Sequence, residues 1–285
     1  MQSLKKIRNI KKMETGKTAH FVLYKDIKKR TRSMIKRKTY SFRKGDIQDV
    51  EEYHDGRYGA PGKKRIKRRK ATKEDMLRVN KWNKEKRCKQ RLLEYFQPSD
   101  LLITWTYKVE NRPLTMGAAV RDFQKAIRKV RREYKKRGYE LFYIRNIEKG
   151  TKGAWHIHLV VNQIGDSAGI VKKAWNNGGT WLTDIKDSNY YEPDMMQLAC
   201  YLTKDENTRE KKKDGTEAKP RIKEANYKTS QNMPLPKPCV DKLHRWKKEI
   251  RPKKGYYIAR MWEGINPKTG YKYRRYTMIR LNRRI

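Results

Sequence analysis

The sequence predicts an α+β fold organised around an antiparallel β-sheet, with a basic N-terminal extension and a C-terminal β-hairpin. Three observations lead there. Leu101–Tyr107 (LLITWTY) gathers β-branched and aromatic residues into the short run expected of a buried strand. A helix with one apolar face follows, over about Met116–Arg137. Two further runs, Tyr139–Glu148 (YELFYIRNIE) and Trp155–Asn162 (WHIHLVVN), flank the glycine-bearing turn Lys149–Gly153, which predicts an antiparallel hairpin and the order β-α-β-β.

In chain order, residues 1–70 read as a basic arm of weak periodicity, with RSMIKRK, the turn-rich HDGRYGAPG and the run Lys63–Lys70 (KKRIKRRK). Thr72–Phe96 is helical in pattern, with Thr72 as N-cap, Asp75 three residues on, and Pro98 just beyond the end. In the Met116–Arg137 helix, Met116, Ala119, Val120, Phe123, Ile127, Val130 and Tyr134 share one face, and Gly138 suits the C-terminal cap. After the hairpin come a short helix over Ser167–Trp175, a short strand over Thr180–Ile185 and a helix over Pro193–Lys204. Residues 205–225 are charged and poor in apolar side chains, as in a mobile loop. PLPKP at 234–238 reads as extended, and 240–250 as a short helix. The end reads as a β-hairpin, Tyr256–Trp262 and Tyr271–Leu281, around the turn Asn266–Gly270. This divides the chain into an arm (1–70), a central domain (71–250) and a hairpin extension (251–285), with no internal repeat.

Composition narrows the class of partner. Lysine and arginine number 74 against 31 acidic residues, a net charge of +43, so the compact chain repels itself unless it meets a polyanion. Eighteen tyrosines and seven tryptophans lie among those cations, a mixture suited to single-stranded nucleic acid, where bases stack and phosphates pair with charge. Cys88, Cys200 and Cys239 are odd in number and lack metal-binding spacing, which fits free thiols in a reducing compartment. No apolar run approaches membrane-spanning length, so a soluble, cytoplasmic protein is expected.

Two constellations carry chemistry. His156 and His158 alternate in an apolar run, so on a strand both imidazoles leave the same face. Glu148 ends the preceding strand of the hairpin, and its carboxylate would complete a two-histidine, one-carboxylate set with open coordination positions, suited to Mg²⁺ or Mn²⁺ acting on a phosphodiester. The second constellation is Tyr201 and Lys204, three residues apart on the predicted helix and so on one face. A phenol with an ordinary pKa near ~10 is a weak nucleophile, which a nearby cation and a polarised phosphate would assist.

Together and in this order, these elements resemble the HUH-superfamily endonucleases, and specifically the rolling-circle replication initiators (Rep) of plasmids and single-stranded DNA phages. LITWTY at 102–107 is similar to the first motif of that family. HIHLVVN at 156–162, preceded by the acid of IEKG at 147–150, is similar to its histidine motif, and YLTK at 201–204 to its YxxK nucleophile motif. The resemblance spans about residues 72–240, with a looser likeness in YKTSQNMPLPKP at 227–238. It implies an RRM-like or ferredoxin-like core with helices packed on one face of the sheet. It also implies that Glu148, His156 and His158 bind the metal, that Tyr201 attacks the scissile phosphate, and that Lys204 orients or neutralises the reacting groups. The activity implied is nicking and rejoining of DNA through a covalent 5′-phosphotyrosine, leaving a 3′ hydroxyl as primer. The chain has one tyrosine so placed, no YxxxY pair and no GxxxxGK[ST] loop, since GKT at 16–18 lacks the first glycine. The implied partners are therefore single-stranded and duplex origin DNA, a host helicase and a host DNA polymerase, in the cytoplasm of a bacterial host. A single-tyrosine transposase, a mobilisation relaxase and a non-catalytic nucleic-acid binder are the alternatives.

Overall fold

A computed structural model describes residues 35–54, 70–185, 194–209, 216–266 and 270–281. The chain forms an α+β fold of two antiparallel sheets with packed helices. The first sheet has the strand order β6-β3-β5-β4-β7. Its members are β3 (Leu101–Thr106), β4 (Tyr143–Gly150), β5 (Trp155–Val161), β6 (Thr180–Asp184) and β7 (Ile222–Thr229). The second has the order β8-β1-β2-β10-β9, from β1 (Ile35–Phe42), β2 (Ile47–His54), β8 (Cys239–Leu243), β9 (Tyr256–Ile265) and β10 (Lys272–Arg280). The helices are α1 (Lys73–Tyr95), α2 (Met116–Lys136), α3 (Ser167–Ala174) and α4 (Asp194–Leu202).

The β-α-β-β order holds, and the histidine strand β5 sits between β3 and β4 rather than beyond them. Helices cover both faces of this sheet, not the one face expected. Ile103, Trp105, Ile147, Ile157 and Leu159 meet Phe123, Ile127 and Val130 of α2 and Ile170 and Val171 of α3. On the opposite face Ile144 and Val160 meet Leu92 and Leu93 of α1 and Met195, Leu198, Ala199 and Leu202 of α4. The reason is legible in Leu159–Val161, an unbroken apolar run, which marks a strand covered on both sides.

Helix boundaries follow local chemistry. Thr72 and Asp75 form the predicted capping box on α1, each side chain accepting from the other's backbone N–H. Thr115 Oγ1 accepts from Ala118 N at the start of α2. At its end Tyr139 N donates to Tyr134 O, with Gly138 at φ +79° in the left-handed turn. No helix among the described residues is long and apolar enough to cross a membrane.

Three expectations change. Ile35–His54, inside the stretch read as a weakly periodic arm, is a hairpin of the second sheet, and it pairs with the C-terminal hairpin through β2 and β10. Residues 222–229, read as part of a loop, form the edge strand β7, whose charged side chains suit an edge. Cys239–Leu243, read as helical, pairs with β1 because that strand offers an open edge. Residues 1–34, 55–69, 186–193 and the hairpin tip 267–269 lie outside the described residues, and with them most of the basic runs, GKT and Pro193.

The second sheet is held by charge as well as by apolar contact. Arg37, Glu52 and Arg274 are direct cross-strand partners on β1, β2 and β10. Glu52 is 1% exposed, and its two oxygens each accept a guanidinium hydrogen bond at 2.6 Å. Arg274 donates further to Lys247 O. Removing the carboxylate leaves a buried guanidinium without its counter-charge, so Glu52→Ala is expected to cost roughly 3–5 kcal/mol in urea unfolding. A loss below about 1 kcal/mol would show that the sheet does not depend on this pair.

Candidate active site

Register places the candidate residues. His158 of β5 pairs with Thr104 of β3 and Asn146 of β4, and His156 pairs with Thr106 and Glu148. All six therefore occupy one face of the sheet in two cross-strand rows. This is also the face that carries Ile144 and Val160, so the strands are apolar under α1 and α4 and polar where those helices stop.

Helix α4 brings the tyrosine to that polar end. Met195, Leu198, Ala199 and Leu202, at i, i+3, i+4 and i+7, seat it on the sheet. Tyr201 lies beside that stripe, half-buried, with its hydroxyl 2.8 Å from His158 Nδ1. Lys204 lies past the helix end, so it meets Tyr201 through the closing turn rather than along a helix face. Its amide reaches Tyr201 O at 3.4 Å, and its ammonium lies 5.1 Å from the centre of the Tyr201 ring. Asn146 Nδ2 donates to Lys204 O at 2.9 Å and ties this turn to β4.

His158 is engaged on both sides. Its Nε2 lies 2.8 Å from Glu148 Oε1, and its Nδ1 also lies 3.2 Å from Thr104 Oγ1. With Nε2 protonated toward the carboxylate, Nδ1 presents a lone pair to the tyrosine hydroxyl. Burial pushes the Tyr201 phenol up to about 12, and the negative charge of Glu148 adds to that while the Thr104 hydrogen bond opposes it. Burial and the neighbouring His158 hold His156 below the ordinary histidine range, against the opposing pull of Glu148. It is therefore a neutral imidazole at neutral pH.

Glu148, His156, His158, Tyr201 and Lys204 are thus brought together, with the rings of His156 and His158 6.2 Å apart. Among the described residues, no three His, Cys, Asp or Glu side chains are arranged to hold a metal ion. Two oxygens nonetheless stand without a hydrogen-bond partner among those residues although buried, Glu148 Oε2 and Asn146 Oδ1. Unengaged buried acceptors two residues apart on one strand face fit a cation or a donor in that space. Beside them is a cavity of about 260 Å³ lined by Glu148, His156, Lys204, Thr208, Lys219 and Arg221, with three cations at its wall. Thr104 and Asn146 are the residues that the sequence reading missed. Their signal was parity: each lies on a predicted strand, in register with His158.

Residues 100–206 match the family described as Replication-associated protein ORF2, a little over a third of the chain. The matched stretch runs from β3 to the turn after α4 and includes every residue of this site. No curated protein and no solved structure matches the chain.

The Tyr201 titration reports this electrostatic arrangement. In metal-free protein with EDTA, the ¹³C-tyrosine NMR signal absent from Tyr201→Phe is expected to titrate near 12. Glu148→Gln removes the negative charge that opposes phenolate formation and is expected to move that midpoint down, toward the ordinary ~10. An unchanged or higher midpoint would contradict the placement of Glu148.

Proposed function

We propose that the chain is a replication initiator that nicks and rejoins single-stranded DNA at an origin, with Tyr201 as the nucleophile. One observation supports this most. The Tyr201 hydroxyl faces an imidazole that Glu148 engages from the other side, within the family-matched residues. In the reaction the phenolic oxygen bonds to the scissile phosphorus and the bond from phosphorus to the 3′ oxygen breaks. The phenolic proton passes to His158 Nδ1, and Glu148 stabilises the imidazolium that forms. The departing 3′ oxygen takes a proton from solvent and becomes the hydroxyl that a polymerase extends. The 5′ phosphate stays on Tyr201 until a 3′ hydroxyl attacks it and rejoins the strand. Lys204, Lys219 and Arg221 place positive charge beside the reacting phosphate. The proposed setting is the cytoplasm of a bacterial host, where a host helicase and DNA polymerase would act on the nicked origin.

Glu148, His156 and His158 are the proposed ligands of Mg²⁺ or Mn²⁺. When bound, the ion supplies Lewis-acid polarisation of the phosphate. The donor chemistry supports this: His156 is neutral, and Glu148 Oε2 is buried without a partner among the described residues. The geometry of His158 favours a second reading, in which the Tyr201–His158–Glu148 relay suffices. The two differ at Nε2, which holds a proton for Glu148 in the relay and a lone pair for the ion in the metal site.

Incubation with labelled single-stranded origin DNA and Mn²⁺ is expected to give a covalent adduct on a denaturing gel, lost in Tyr201→Phe. His158→Ala should slow adduct formation roughly 10²–10⁴-fold. An adduct that persists in Tyr201→Phe removes the nucleophile assignment. Electron paramagnetic resonance of added Mn²⁺ tests the ion directly: binding lost in His156→Ala supports the ligand set. Adduct formation undiminished by EDTA supports the relay alone.

A further inference from the structure

Arg145 is a buried cation without a counter-ion among the described residues. It lies on β4 with its side chain toward α2, the face opposite Asn146 and Glu148, and is 4% exposed. Its Nη1 donates to Asn226 O at 2.6 Å and to Asn226 Oδ1 at 3.0 Å, and its guanidinium lies 5.0 Å from the centre of the Phe123 ring. None of these partners is a carboxylate. Burial lowers its pKa from 12.5 to about 10, opposed by the Tyr143 phenol and by no carboxylate. A buried charge is ordinarily paired, so one left unpaired at the floor of a cleft points to an anion from outside the chain.

The cleft has the walls for one. It has a volume of about 1030 Å³ between α2 and the β4–β7 edge, and Arg128, Arg131, Lys135 and Lys228 line it with Arg145. Arg128, Arg131 and Lys135, at i, i+3 and i+7, form one stripe along α2, and Lys228 is the direct cross-strand partner of Arg145. Glu140, the acid in the lining, accepts a hydrogen bond from Asn232. Tyr139, 55% exposed, stands at the mouth. A row of cations suits a chain of phosphates rather than one compact anion, and a bare phenol ring beside it suits a base.

We propose that this cleft is a second contact for single-stranded DNA, in which Arg145 and the α2 stripe hold backbone phosphates and Tyr139 stacks on a base. The candidate active site lies on the other face of the same sheet, with β7 as the edge strand between them. The inference rests on the nucleic-acid partner proposed above and on none of its chemistry.

The test is binding of a fluorescein-labelled 30-nucleotide oligothymidine to the full chain, by anisotropy over a range of NaCl concentrations. Arg128→Ala/Arg131→Ala/Lys135→Ala removes three exposed cleft cations and leaves the packed Arg145 in place. Each phosphate contact contributes about 0.7 to the slope of log K against log [salt] for a single strand, so the slope should fall by about 2. Lys108→Ala/Lys172→Ala/Lys173→Ala removes equal charge elsewhere and should leave the slope unchanged. Tyr139→Ala should weaken binding about five- to hundredfold without altering the slope. An unchanged slope in the cleft variant, or an equal fall in the control, would overturn the proposal. Because the assay reads no cleavage, loss of the Tyr201 adduct reaction would leave its result intact.

Discussion

Strand β5 is hydrogen-bonded on both sides, and that constraint organises the rest of the molecule. A strand with two neighbours cannot slip by one residue without turning its whole apolar set to the wrong face. Ile157, Leu159 and Val161 are committed to α2 and α3, so His156, His158 and Val160 must face α1 and α4. The neighbours inherit the same parity. Thr104 and Thr106 on one side, and Asn146 and Glu148 on the other, therefore surround the imidazoles through the pairing of the backbone itself.

What the site can do follows from how His158 is engaged. Glu148 lies across from His156 by register, yet its carboxylate reaches diagonally to His158, leaving its second oxygen unengaged among the described residues. The tyrosine approaches the same ring from α4, so the imidazole bridges a buried phenol and a buried carboxylate. A phenol pushed up to about 12 is inert as a nucleophile unless something takes its proton, and the geometry supplies an acceptor at hydrogen-bond distance. Asn146 keeps the arrangement in place, since its amide holds the turn that carries Lys204.

Much of this was legible in the sequence where pattern and periodicity are strong. The capping box at Thr72, the apolar face of α2, and the hairpin ending in HIH all appear where the residues place them. The pairing of Tyr201 with the histidines was legible only through resemblance, because no local signal brings a late helix onto an earlier strand. The edges were not legible. IKEANYKT at 222–229 and CVDKL at 239–243 are strands because β4 and β1 offer unpaired backbone, a tertiary demand that composition does not carry. Arg37–Glu52–Arg274 was hidden for the same reason, since a buried triad looks in sequence like ordinary surface charge.

Whether Tyr201 forms the covalent bond is tested most directly by the identity of the modified residue. Protein reacted with single-stranded origin DNA is digested with nuclease and protease, and the nucleotide-bearing peptide is sequenced by tandem mass spectrometry. A nucleotide phosphate is expected on Tyr201, in the peptide spanning the end of α4. A nucleotide on any other residue, or intact DNA cleavage with Tyr201 unmodified, would contradict that role.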